Sequence, residues 1–124
     1  MIVNSGRFHQ KLDFSETKIQ GKQFTDIDAI LDYGNKGWVL VECKVKGNPL
    51  PYGQKLALER MVNDFAKAEK PALLVVAEHE TPINEDIRFE ETKTNLIYFN
   101  GKWRNLDETP TTYVIDYFLR NKCM

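Results

Sequence analysis

Thr25-Asp26-Ile27-Asp28-Ala29-Ile30-Leu31-Asp32-Tyr33, the link Gly34-Asn35-Lys36-Gly37, and Trp38-Val39-Leu40-Val41-Glu42-Cys43-Lys44-Val45-Lys46 read as two strands joined by a tight hairpin turn. The strand period of two puts Glu42, Lys44 and Lys46 on one face of the second strand. Val39, Val41, Cys43 and Val45 take the other face. In the first strand Asp26, Asp28, Ile30 and Asp32 share a face, opposite Ile27, Ala29, Leu31 and Tyr33. Each strand thus has a nearly pure apolar face and a face that carries its ionisable groups.

A charge within a strand that ought to be buried is costly unless it is paired or binds a metal. Pairing across the hairpin brings Asp28 or Asp26 beside Glu42. Two carboxylates that close repel unless a cation lies between them. A hard divalent cation with oxygen ligands suits that position, and Lys44 adds a compact positive charge next to it.

Working outward, Gly47-Asn48-Pro49-Leu50-Pro51 stops the second strand. Residues 52–69 read as a helix with Gln54, Leu58, Met61, Val62 and Phe65 on one stripe, ended by Pro71. A Gln at the inward end of an apolar stripe is placed to reach Lys44, a metal-held water or a phosphate. Ala72 to Ala77 is a buried strand, expected to run parallel to a neighbour because a helix precedes it. Asn95–Phe99 and Lys102–Asn105 form a hairpin around Asn100-Gly101. Thr111–Lys122 is a final helix with Tyr113, Ile115, Phe118 and Leu119 at apolar positions, its aromatics assigned to the core or to a dimer interface. Residues 1–24 stay open: Arg7 to Ser15 is short for a helix and lacks a clean stripe, and a strand at Phe8–Phe14 or Ser15–Gln20 fits as well.

The chain has 124 residues, 42% of them hydrophobic and 28% charged, which suits one domain over residues 1–124 around one core. Nothing resembles a signal peptide, and no apolar run approaches membrane-spanning length. Cys43 and Cys123 have no ligand spacing and read as reduced thiols of a cytoplasmic protein. His9 and His79 stand alone, without ligand spacing to each other. The net charge of −1 is low for a nucleic-acid binder, but it is unevenly spread. Residues 36–70 hold seven lysines or arginines against four carboxylates, whereas residues 78–91 hold six carboxylates against Arg88. The acidic stretch reads as a solvated loop or a face turned away from phosphate.

Asp28 with Glu42-Cys43-Lys44 resembles the active-site motif of the PD-(D/E)XK nuclease superfamily, in which an Asp on one strand meets a Glu-x-Lys on the next. Ile27-Asp28-Ala29-Ile30 fits the family's hydrophobic setting for the Asp better than Asp26 does. The Pro of the family name has no counterpart, as in many members. Gly53-Gln54 extends the likeness, since archaeal junction resolvases and phage nucleases carry a Gln on that helix. The likeness covers roughly residues 24–77.

The resemblance implies an α/β fold with a central mixed β-sheet flanked by helices, a restriction-endonuclease-like core. It implies a Mg²⁺-dependent DNA endonuclease, structure-dependent and of the kind used in replication, recombination or repair, with Mn²⁺ able to substitute. Asp28, Glu42, Lys44 and Gln54 would be catalytic. Asp28, Glu42 and the Cys43 carbonyl would hold the metal, with Asp26 or Glu16 as accessory carboxylates. Lys46, Tyr52 and Lys55 would meet the DNA backbone. Branched DNA is the favoured substrate, and symmetric cutting of a junction would call for a homodimer. A non-catalytic DNA- or protein-binding member of the same fold and an RNA-processing nuclease are the other readings.

Overall fold

The computed structural model describes residues 12–124. The expectations for Arg7, Phe8 and His9 lie outside the described residues. The described chain opens with a small antiparallel hairpin, β1 (Lys18–Ile19) and β2 (Lys22–Gln23), turned through Gln20 and Gly21 at positive φ. Phe14 stacks on Phe24 beside it, with ring centroids 4.9 Å apart.

The main sheet has five strands in the order β3-β4-β5-β6-β7, namely Ala29–Asp32, Trp38–Val45, Ala72–His79, Lys93–Phe99 and Lys102–Pro110. β4 and β5 are parallel, joined by helix α1 (Tyr52–Lys67), and the other neighbours are antiparallel. The sheet is therefore mixed, as the helix before Ala72 led one to expect. β6 and β7 meet in a two-residue turn with Asn100 and Gly101 both at positive φ, the backbone that Asn-Gly favours.

The sheet is covered on both faces. Leu58 and Val62 of α1 lie fully buried against Leu40, Ala72, Leu74 and Tyr98. Each such aliphatic side chain contributes about 2 kcal/mol by leaving water. On the other face Val114 and Phe118 of helix α2 (Thr111–Phe118) pack on Val39, Val41, Leu73, Val75 and Ala77. Cys123 completes that cluster, and a Cβ on Gly37 would overlap its sulfur, so glycine is required where β4 begins.

Several expectations need correction. The final helix is α-helical only to Phe118 and continues as a π-helical turn over Leu119–Cys123. Tyr113 of that helix is 55% exposed rather than apolar filling, because Val114 and Phe118 supply its inward stripe. The first strand of the opening hairpin covers Ala29–Asp32 only, instead of residues 25–33, because the chain bends at Asp28. That bend breaks the alternation: Ile27 packs on the α1 side of the sheet, whereas Tyr33 packs on the α2 side. No helix among the described residues is long and apolar enough to cross a membrane.

Candidate metal centre

β4 lies inside the sheet, between β3 and β5, so its side chains are covered. Glu42 follows Leu40 on the α1 side and is only 1% exposed. β3 stops pairing at Ala29, opposite Val41. One step further, the Cys43 N–H donates to Asp28 Oδ2 at 2.7 Å, so the aspartate side chain replaces a main-chain acceptor. The Asp28 N–H in turn donates to Glu42 Oε1 at 3.1 Å. These two bonds fix Asp28 against Glu42 at the point where β3 bends away.

Lys44, two residues along the same face, brings Nζ to 3.8 Å from Glu42 Oε2. Gln54 comes from the first turn of α1. Its Nε2 donates to the Asp26 carbonyl at 3.2 Å, and its side chain lies near enough to the Glu42 carboxylate to favour the charged form. Asp28, Glu42, Lys44 and Gln54 thus meet in one place, on three separate elements of the chain. Cys43 turns its side chain to the α2-side cluster. In an extended strand a residue's N–H and C=O point to the same edge, so the Cys43 carbonyl faces the β3 edge beside Asp28.

Burial, and then the neighbouring Asp28 carboxylate, push Glu42 from the usual 4.5 up to about 6. The Asp28 N–H, Lys44 and Gln54 pull in the opposite direction. Burial raises the Cys43 thiol, and the two carboxylates add to that rise, so it stays protonated at neutral pH. Both cysteines are free.

The remaining candidates fall elsewhere. Asp26 is exposed and joins through its carbonyl, not its carboxylate. Glu16 sits exposed in the turn closed by the Thr17 N–H and the Phe14 carbonyl; among the described residues no hydrogen bond or ion pair joins it to Asp28 or Glu42. Tyr52 is 78% exposed at the start of α1. Lys55 lies over the Trp103 ring, 5.1 Å from its centroid. Lys46 is held by Glu108 at 2.8 Å and Glu80 at 3.5 Å, which lessens its charge for a phosphate. No pattern around Lys46 pointed to Glu108, which lies on another strand 62 residues away (108 − 46).

The acidic stretch, expected as a solvated loop or a face turned away from phosphate, lies against the sheet's end. With Glu78 and Glu108 it lines a cleft of about 750 Å³ at the ends of β4 and β5, which carries Glu80, Glu85, Asp86 and Glu91 as well. This cleft is a separate concavity, formed without Asp28, Glu42 or Gln54. Lys46, Arg88 and Lys93 line it beside these carboxylates.

Among the described residues no three or more His, Cys, Asp or Glu side chains converge into a metal cage. The oxygen donors at the site are therefore two carboxylates and main-chain carbonyls. That set suits Mg²⁺, which keeps several waters and is bound through one or two carboxylates. Comparison with protein-family models, with curated proteins and with solved structures gave no match.

Proposed function

We propose that this chain is a metal-dependent phosphodiesterase acting on DNA, with a restriction-endonuclease-like core and its active site at Asp28, Glu42, Lys44 and Gln54. The observation that carries the reading is Glu42: a carboxylate 1% exposed, set against a second carboxylate and beside a lysine. A purely structural role leaves that arrangement unexplained, because a buried acid beside another acid is destabilising without a cation.

Asp28, Glu42 and the Cys43 carbonyl would hold Mg²⁺, or Mn²⁺ in its place. When bound, the ion supplies Lewis-acid polarisation of a phosphate oxygen and acidifies water. The protein's own groups do the rest. Asp28 is held in place by the Cys43 N–H, so its free oxygen faces the site without needing to reorganise. Lys44 places an ammonium where negative charge grows on the phosphate during attack, and it orients the attacking water. Gln54 links the start of α1 to the Asp26 carbonyl, and it favours the charged form of Glu42.

This reading puts the protein in the cytoplasm with its nucleic acid, and takes its cutting to depend on DNA structure. A junction-cutting member would work as a homodimer. The test is a panel of end-labelled substrates, namely a four-way junction, a flap, a single strand and a plain duplex, incubated with Mg²⁺, Mn²⁺ or EDTA. Cleavage of at least one substrate with either metal, abolished by EDTA, is expected. Cleavage undiminished in EDTA, or none on any substrate with either metal, overturns the reading.

A further inference from the structure

On the sheet face opposite Glu42, α2 and β7 enclose a second groove of about 520 Å³. Its floor is apolar, with Phe99 and Leu106 among its lining residues. Its rim is not: Lys102, Arg104 and Lys122 line it, and no acidic side chain does among the described residues. None of these cations lies within ion-pair distance of a carboxylate among the described residues, unlike Lys46. Tyr113 and Tyr117 project into the same groove, 55% and 54% exposed.

The two tyrosines sit one helical turn apart, with ring centroids at 6.3 Å and ring planes within 29° of each other. Lys102 and Arg104 share a face of β7 two residues apart, a spacing of about 7 Å in a strand. The groove therefore carries a pair of rings from α2 and a pair of cations from β7, each pair at a similar internal spacing. A polymer with one flat base and one phosphate per unit matches both rows together. The stacked pair leaves each tyrosine more than half exposed, and a duplex keeps its base faces hidden in the stack, so the matching form is single-stranded.

We propose that the groove between α2 and β7 binds a short single-stranded DNA segment, its bases on Tyr113 and Tyr117 and its phosphates against Lys102, Arg104 and Lys122. That the strand is DNA rests on the reading of the Asp28 and Glu42 site. The groove's own chemistry stands without that reading. Such a groove on the far face of the sheet gives the protein a grip on an unpaired strand apart from the place where it cuts, which suits branched or flapped substrates.

The test is fluorescence anisotropy of a labelled ten-nucleotide oligothymidylate with the full chain in EDTA, where no divalent cation is held at Asp28 and nothing is cleaved. Tyr113→Ala and Tyr117→Ala are each expected to weaken binding by about tenfold, and the matching Phe variants to retain it, because a phenyl face still stacks. Lys102→Glu with Arg104→Glu should weaken it further and flatten its salt dependence. These side chains are exposed, and unchanged thermal melts confirm that the variants fold. Equal affinity in the Tyr113→Ala, Tyr117→Ala double variant overturns the proposal. So does tighter binding of an oligouridylate, or a dimer in sedimentation that Tyr117→Ala disperses, which would give the groove to a second copy of the chain. Because the assay runs without metal, a chain that fails to cut but binds the strand separates the two readings.

Discussion

Asp28→Ala, Glu42→Ala and Lys44→Ala each lower Mg²⁺-dependent cleavage by ~10²-fold or more, measured as single-turnover rates on the best substrate of the panel. The size follows from what each change removes. Asp28 and Glu42 supply the two carboxylates that meet at the centre among the described residues, joined through the Asp28 N–H. Lys44 supplies the one ammonium within 4 Å of them among the described residues, at 3.8 Å from Glu42. Groups that act as a unit are not additive, so any two of these changes together should cost little more than one. Asp26→Ala should leave the rate largely intact, since Asp26 contributes its carbonyl to Gln54. A wild-type rate in Asp28→Ala with loss in Asp26→Ala would reverse that assignment.

Glu42→Gln is expected to be inactive yet more stable than the wild type at pH 8 in EDTA. The native carboxyl sits at about 6, against an ordinary 4.5 in the unfolded chain. A group raised in this way contributes its full stability below about pH 4.5 and loses it as pH rises through about 6. A shift of that size corresponds to roughly 2 kcal/mol, or a melting temperature higher by roughly 8 °C for the variant at pH 8. The gap should close by pH 4, where the wild-type carboxyl is protonated in both states. A variant less stable than the wild type at pH 8, or a gap that does not change with pH, would mean that Glu42 is neutral or stabilised in place. A variant more stable than the wild type would show an acid kept at a cost to stability, the pattern expected of a functional group.

The sheet and its helices were legible because their signals are local. Asn100-Gly101 defines a turn by backbone preference alone, and Leu58, Val62 and Phe65 repeat at helical spacing under α1. The parallel pairing of β4 with β5 followed from the intervening helix. The convergence of Glu42, Lys44 and Gln54 was also readable, since the first two share a strand face and the third lies at the inward end of a stripe. The bend at Asp28 was not. Strand alternation assumes a continuous ladder, and here a side-chain oxygen takes the Cys43 N–H, which turns Ile27 to the other face. The partners of Lys46 were hidden for a different reason: Glu108 and Glu80 reach it only through the folded sheet, and charge counting along the chain cannot see them. The exposure of the α2 tyrosines was harder to read, since the aromatics of that helix were expected to turn to the core or to a dimer interface. Positions 114 and 118 already form a buried i, i+4 pair, which leaves 113 and 117 one step outside it.

Whether Asp28 and Glu42 hold a divalent cation together is tested most directly by titrating the protein with Mn²⁺ and following binding by calorimetry. The wild type is expected to bind one ion, Asp28→Ala and Glu42→Gln to lose it, and Lys44→Ala to keep it. Unchanged Mn²⁺ binding in both carboxylate variants would contradict the site.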